Sequence, residues 1–233
     1  MVVERQPFYF SEAIMELKGK KINFLGDSIT EGVGTSAPEH IYINVIKNMC
    51  GLAEVRNYGI SGTRIARQTF MNPSDPFDND FMLRAPKMDA DADAVVVFGG
   101  TNDYGHGQAH LGSFDDREPF TFYGALHTLI TLLIDRYMGK PIIFMTPLHR
   151  IGEEAENSWK PEGVEKHPLC DYVKAIREVC EYYSVPVLDL YRESTMSTRY
   201  KPYCDKFMPD GLHPNDNGHI IIANKLASFL KNL

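Results

Sequence analysis

The sequence predicts an α/β protein: a parallel sheet with helices on both faces. Short apolar runs alternate five times with segments of helical period, the pattern of repeated β-α units joined by right-handed crossovers. The run Ala94–Phe98 is apolar at every position, as in a strand buried on both faces of a parallel sheet. The first apolar run breaks at Gly26-Asp27-Ser28, placing polar residues at the carboxyl end of a first strand, where open α/β sheets bind ligands.

The elements follow in order. Residues 1–19 read as an irregular arm with a helical turn near Ser11–Leu17, ahead of one domain over 20–233. Strand one covers about 21–26, and Gly32 and Gly34 loosen the loop after it. A helix is expected from Pro38 to Met49, with proline suited to the first turn. Strand two is Ala53–Tyr58; Gly59-Ile60-Ser61-Gly62 breaks it, and a helix is expected to start near Thr63. Residues 71–90, rich in Asn, Pro and Asp, form a polar excursion. After strand three, Gly99-Gly100-Thr101-Asn102-Asp103 opens a glycine- and histidine-rich loop over 104–119. Leu126, Leu129, Ile130, Leu133 and Ile134 recur at helical spacing within a helix expected over 120–138. Strand four is Pro141–Met145. A loop over 146–166 carries His149, Arg150 and Trp159, and a helix follows over 167–183. Strand five is Val185–Leu190, residues 191–212 are loop or short helix, and the last helix runs from Asn215 to Leu230. No internal repeat or low-complexity tract is present.

With 233 residues, 43% of them hydrophobic, the chain is long enough for one large domain with a substantial core. A formal net charge of -7 disfavours nucleic acid and anionic membranes as partners and says little about a small substrate. The four cysteines contain no C-x-x-C pair, so they read as scattered reduced thiols. The N-terminal stretch has acidic residues and no continuous apolar segment, unlike a secretory signal, and no run reaches membrane-spanning length; a cytoplasmic protein is expected.

Loops after strands one, two, three and five carry Ser28, Gly62, Asn102 and the pair Asp210 and His213. In a parallel sheet these loops share one edge, so the four stretches converge. A serine hydroxyl is a weak nucleophile and needs an adjacent base, which His213 can supply as neutral imidazole. Asp210, three residues earlier, can hold the other ring nitrogen on a tight turn. The oxyanion formed by attack on an ester needs preorganised donors, and the backbone N–H groups of Ser28 and Gly62 and the Asn102 amide are candidates.

At these residues the chain resembles the SGNH hydrolases, also called GDSL esterases and lipases. The four family blocks stand in order as Gly26-Asp27-Ser28, Gly62, Gly100-Thr101-Asn102-Asp103 and Asp210-Gly211-Leu212-His213, spread over most of the chain. The nucleophile motif is Gly-Asp-Ser-Ile-Thr rather than Gly-x-Ser-x-Gly, which argues against an α/β-hydrolase elbow. The resemblance implies a three-layer flavodoxin-like fold with five strands ordered 2-1-3-4-5. It also implies a Ser–His–Asp triad of Ser28, His213 and Asp210, an oxyanion hole of Ser28, Gly62 and Asn102, and a loop-bracing role for Asp27.

Asp27, His149, Arg150 and Trp159 are candidates for substrate contact. For His149 and Arg150 the bland alternative is tying down a loop; for Trp159 it is packing rather than stacking on a sugar. His106 and His110 near Asp103 form a single His-x-x-x-His pair on a loop, too little for a metal centre, so no metal or cofactor is expected. His219 reads as a polar residue early in the last helix. The reading is a serine esterase that removes short acyl groups, acetyl above all, from a hydroxylated small molecule or carbohydrate. The alternatives are a lysophospholipase or thioesterase, an acyltransferase, and a non-catalytic binding module. Nothing in the sequence speaks to oligomeric state.

Overall fold

A computed structural model describes residues 16–69, 72 and 75–233, so most of the expected N-terminal arm, with all but the end of its helical turn, lies outside the described residues. Five parallel strands, β1 (Lys21–Gly26), β2 (Glu54–Gly59), β3 (Ala94–Phe98), β4 (Ile142–Met145) and β5 (Val187–Leu188), form one sheet in the order β2-β1-β3-β4-β5. Helices α1 (Ser28–Glu31), α2 (Tyr42–Cys50), α3 (Phe81–Arg84), α4 (Thr101–Gly105) and α5 (Phe122–Arg136) follow the first three strands. The rest are α6 (Leu169–Tyr182), α7 (Leu190–Glu193), α8 (Lys201–Phe207) and α9 (Asp216–Lys231).

Side-chain alternation along the strands builds a core on each face. Leu25, Val95, Val97, Ile142 and Phe144 pack toward α5 and α6, against Leu126, Leu129, Ile130, Val173 and Ile176. Ile22, Phe24, Val96, Phe98, Ile143 and Met145 point the other way, toward Ile43 and Ile46 of α2 and Ile222, Leu226 and Leu230 of α9. Cys50, Cys170, Cys180 and Cys204 are free thiols. Among the described residues no helix is long and apolar enough to cross a membrane.

Register positions the site. Gly26 pairs with Gly59 on one side and Phe98 on the other, so β1, β2 and β3 end level with one another. The segments leaving them, Asp27-Ser28, Ile60–Gly62 and Gly99–Asn102, therefore emerge side by side. The order of strands reverses between β1 and β3, which opens a crevice there.

Several elements depart from the sequence expectation. The helix expected near Thr63 does not form. Its backbone is committed elsewhere: Ile65 and Ala66 N–H groups donate to the Asp103 carboxylate at 3.0 and 2.8 Å, and the Thr63 carbonyl accepts from Asn102 at 3.0 Å. Those tertiary bonds replace the i→i−4 ladder, and the first α-helix after β2 is α3, capped by Asp80. The helix expected over 38–49 splits into a 3₁₀ turn, Pro38–His40, and α2. The start of the 104–119 loop belongs to α4, and strand five is only two residues long before α7 begins. His219 lies early in the last helix but is fully buried. Its Nδ1 accepts from the Tyr42 N–H at 3.1 Å, its ring stacks on Tyr42, and burial pushes its pKa down to about 4.

Candidate active site

A tight turn after α8 sets two of the site residues. The Asp210 carboxylate accepts from the backbone N–H groups of Leu212 at 2.8 Å and His213 at 2.6 Å, a local asparto-turn with Gly211 at φ +77° inside it. Its second oxygen meets His213 Nδ1 at 2.6 Å, and His213 Nε2 lies 3.0 Å from Ser28 Oγ. Because the carboxylate can only accept, the imidazole proton sits on Nδ1 and the Nε2 lone pair faces the serine hydroxyl. Burial would raise the Asp210 pKa, but the bonds from the His213 ring and the two backbone N–H groups outweigh it and hold the carboxyl below its usual range. Asn215 fastens the turn to α9 by accepting from Asn217 and Gly218 N–H at 3.1 and 3.2 Å.

Three donors stand around the serine. Ser28 is the first residue of α1, after the cap Asp27, and its N–H has no backbone acceptor among the described residues. The Gly62 N–H likewise has no backbone acceptor among the described residues. Gly62 takes φ +73°, and a Cβ there would run into the Phe77 ring, so the position requires glycine on both counts. Asn102 uses one amide hydrogen on the Thr63 carbonyl and keeps the other free. Glu31 holds this loop from below, accepting from Ser61 N–H at 2.7 Å and from the Ser61 hydroxyl.

Beneath these loops lies Arg84, which the sequence did not single out because it sits in the polar excursion with no local signature. Its Nη1 donates to the carbonyls of Gly26, at 3.1 Å, and Tyr58; Nη2 donates to Thr63 Oγ1 at 2.7 Å and Nε to Asn79 O at 2.9 Å. One guanidinium thus ties the ends of β1 and β2 to the segment after Gly62. Burial lowers its pKa to about 10, so it stays charged at neutral pH. Arg84→Met would leave those buried acceptors without a donor, and at about 1–3 kcal/mol per unsatisfied group the expected loss is about 3 kcal/mol or more. The shift in the urea midpoint at constant m-value measures it; a change under about 0.5 kcal/mol, the size of an ordinary surface substitution, would show that the network is dispensable.

The donors and the hydroxyl open into a cleft of about 430 Å³, whose wall includes Ser28, Gly62, Asn102 and His213 together with Val33, Phe77, His106, Arg150, Trp159 and Leu212. Val33 and Phe77 carry no sequence signal for a site, and His106 stood out in the sequence only as half of a histidine pair; the fold brings all three here, and Leu212 comes with the Asp210–His213 block. Arg150 reaches the cleft over the Tyr104 ring, 5.4 Å from its centroid. Trp159 stands on the rim, 82% exposed, with its backbone N–H held by Gly105 O at 2.7 Å, so it does not pack a loop.

Two of the expected contact residues lie elsewhere. His149 is not in the cleft wall; its Nδ1 pairs with Glu153 at 2.8 Å and its ring lies against Tyr191 at 3.9 Å, since successive residues of the loop after β4 point to opposite sides. Asp27 is buried under the serine, accepting from the Ile29 N–H at 3.1 Å, and burial pushes its carboxyl up to about 7. It braces the start of α1. Asp103, His106 and His110 do not converge: Asp103 turns inward to Ile65 and Ala66, His106 faces Phe77 and Arg64, and His110 is exposed. No group of side chains suited to a metal ion occurs among the described residues.

The family model of the GDSL-like lipase/acylhydrolase family matches residues 24–221. The chain is similar to a crystal structure of a protein from Lactobacillus plantarum, with 34% identity, 91% of this chain and 97% of the other covered, and a TM-score of 0.77. A lipase/acylhydrolase from Enterococcus faecalis is 21% identical over 91% of this chain and 95% of its own, with a TM-score of 0.63. An acetyl xylan esterase, AlAXEase, is 21% identical over 90% and 98%, with a TM-score of 0.59. No curated protein matches the chain significantly.

Proposed function

Since this chain belongs to the GDSL-like lipase/acylhydrolase family and is an ester hydrolase, we propose that it is a serine esterase cleaving short acyl groups, acetyl above all, from a hydroxylated small molecule or carbohydrate. The observation that carries the mechanism is the unbroken series Ser28 Oγ, His213 Nε2, His213 Nδ1, Asp210 Oδ2 at 3.0 and 2.6 Å. Ser28 Oγ attacks the ester carbonyl while His213 takes its proton, and Asp210 stabilises the imidazolium that forms. Negative charge gathers on the carbonyl oxygen, where the N–H groups of Ser28 and Gly62 and the spare amide hydrogen of Asn102 receive it. His213 then protonates the leaving alkoxide. Water, activated by the same imidazole, releases the acyl group from Ser28 and restores the site.

The preference for short chains rests on the cleft walls. Its exposed apolar side chains, Val33, Phe77 and Trp159, come from three separate segments. A long acyl chain would need a continuous apolar groove to gain about 0.8 kcal/mol for each buried methylene. The polar segments 107–119 and 160–166 add nothing to the cleft wall. Trp159 on the rim offers a flat face for a sugar ring, and the similarity to an acetyl xylan esterase is compatible with that choice. In a p-nitrophenyl ester series at matched solubility, acetate and propionate are expected to have a higher kcat/KM than octanoate. A specificity constant that climbs steadily from two carbons to about eight would overturn the short-chain reading in favour of a lysophospholipase or thioesterase.

A further inference from the structure

We propose that the substrate carries an anionic group, a carboxylate or phosphate, which the guanidinium of Arg150 receives; this rests on the ester-hydrolase reading of the same cleft. Arg150 is the one lysine or arginine in the cleft wall among the described residues. The other cations nearby are already engaged. Arg64 pairs with Asp78 at 2.5 Å, Lys160 donates to Ala109 O at 2.9 Å, and Arg84 spends its donors on the loops beneath. His106 brings no charge, because burial and the surrounding cations push its pKa down to about 4.

Arg150 itself is held but not paired. Its Nη1 donates to Thr101 Oγ1 at 3.1 Å and to Thr101 O at 3.3 Å, and its plane rests above the Tyr104 ring. Nε is buried with no partner, and Nη2 bonds to none of the described residues. The carboxylates that act on it, Asp27 and Asp210, are committed to the Ile29 N–H and to His213. A residue that only tied its loop to α4 would need the Nη1 contacts alone. Here a partly desolvated cation lines the cleft beside Thr101, the neighbour of Asn102, with its Nη2 donors to spare. A planar guanidinium fixed in that way suits a carboxylate or phosphate, which its unpartnered Nη2 can meet through a charge-assisted N–H bond. The overall charge of -7 would slow long-range approach of an anion, but within a cleft the nearest unscreened charge dominates.

The test compares matched esters in the wild-type protein and in Arg150→Gln. para-Acetoxybenzoate against its methyl ester places the charge on the leaving group. The p-nitrophenyl hemiester of succinate against its methyl-capped form places it on the acyl group, and para-acetoxyphenyl phosphate against phenyl acetate supplies a phosphate. In at least one pair the charged ester is expected to have a kcat/KM about tenfold or more higher, as a charge-assisted contact gives. That ratio falls toward about one in Arg150→Gln and shrinks with rising salt in the wild type. A second measurement needs no variant: benzoate or inorganic phosphate should compete with p-nitrophenyl acetate in the wild-type protein. The proposal is overturned if the wild type favours no charged ester in any pair and neither anion competes, or if the preference survives in Arg150→Gln. Cleavage of the neutral esters in that case leaves the esterase reading standing. Failure of the wild type to cleave any ester removes the esterase reading, and this proposal with it.

Discussion

Ser28→Ala is expected to lose nearly all turnover, with kcat falling on the order of 10⁵–10⁶-fold, as in serine hydrolases stripped of their nucleophile. The fold should not change. Among the described residues Ser28 Oγ hydrogen-bonds to His213 alone, and alanine leaves in place both the N–H that begins α1 and the Asp27 cap. The same variant should resist covalent labelling by a fluorophosphonate, which attaches to the activated hydroxyl of the wild type, and its thermal unfolding should match the wild type within a few degrees. Activity or labelling that persists in Ser28→Ala would move the nucleophile elsewhere and end the proposed assignment of Ser28, His213 and Asp210.

Asp210→Asn should lower kcat by roughly 10⁴, by the precedent of other triads in which the imidazole tautomer is reversed. The carboxylate oxygen now faces His213 Nδ1 at 2.6 Å and fixes the proton there. An amide can turn its NH₂ toward that nitrogen, so Nδ1 becomes the acceptor and Nε2 carries the proton. The ring then meets Ser28 with a donor and cannot accept the hydroxyl proton. The backbone bonds from Leu212 and His213 survive, because the amide oxygen can still accept them. The variant should therefore fold with its turn intact and fail at chemistry, which kcat with an unshifted KM would show. A loss under about tenfold would mean that another group orients the imidazole.

The pH dependence of stability at this carboxylate follows from its lowered folded-state pKa. Its stabilising contribution is complete above the unfolded-state value of about 3.9 and disappears as pH falls through the lower folded value. Asp210 ionisation therefore contributes nothing to changes in stability near neutrality.

The parts of the fold visible in the sequence are those whose cause is local. Ala94–Phe98 reads as a strand buried on both faces and the aliphatic spacing from Leu126 to Leu133 as the buried side of a helix, and both elements form. The polar residues after β1, β3 and β5 were legible for the same reason, since a parallel sheet delivers every such loop to one edge. Asp210 and His213, three residues apart, and the turn between them are set by local chemistry.

Tertiary structure alone decided what depends on bonds across the chain. Thr63 to Gln68 has no helix because Asp103, far along the sequence, takes the N–H groups of Ile65 and Ala66. His149 and Arg150 are adjacent in sequence, yet one pairs with Glu153 and the other enters the cleft. Arg84 carries no motif, and its role comes from the carbonyls of Gly26 and Tyr58 and the hydroxyl of Thr63, which three different segments bring within reach. Residue type and spacing reveal which groups can do chemistry. Which guanidinium spends its donors on the protein, as in Arg84, and which keeps some unpartnered among the described residues, as in Arg150, depends on groups that only the folded chain assembles.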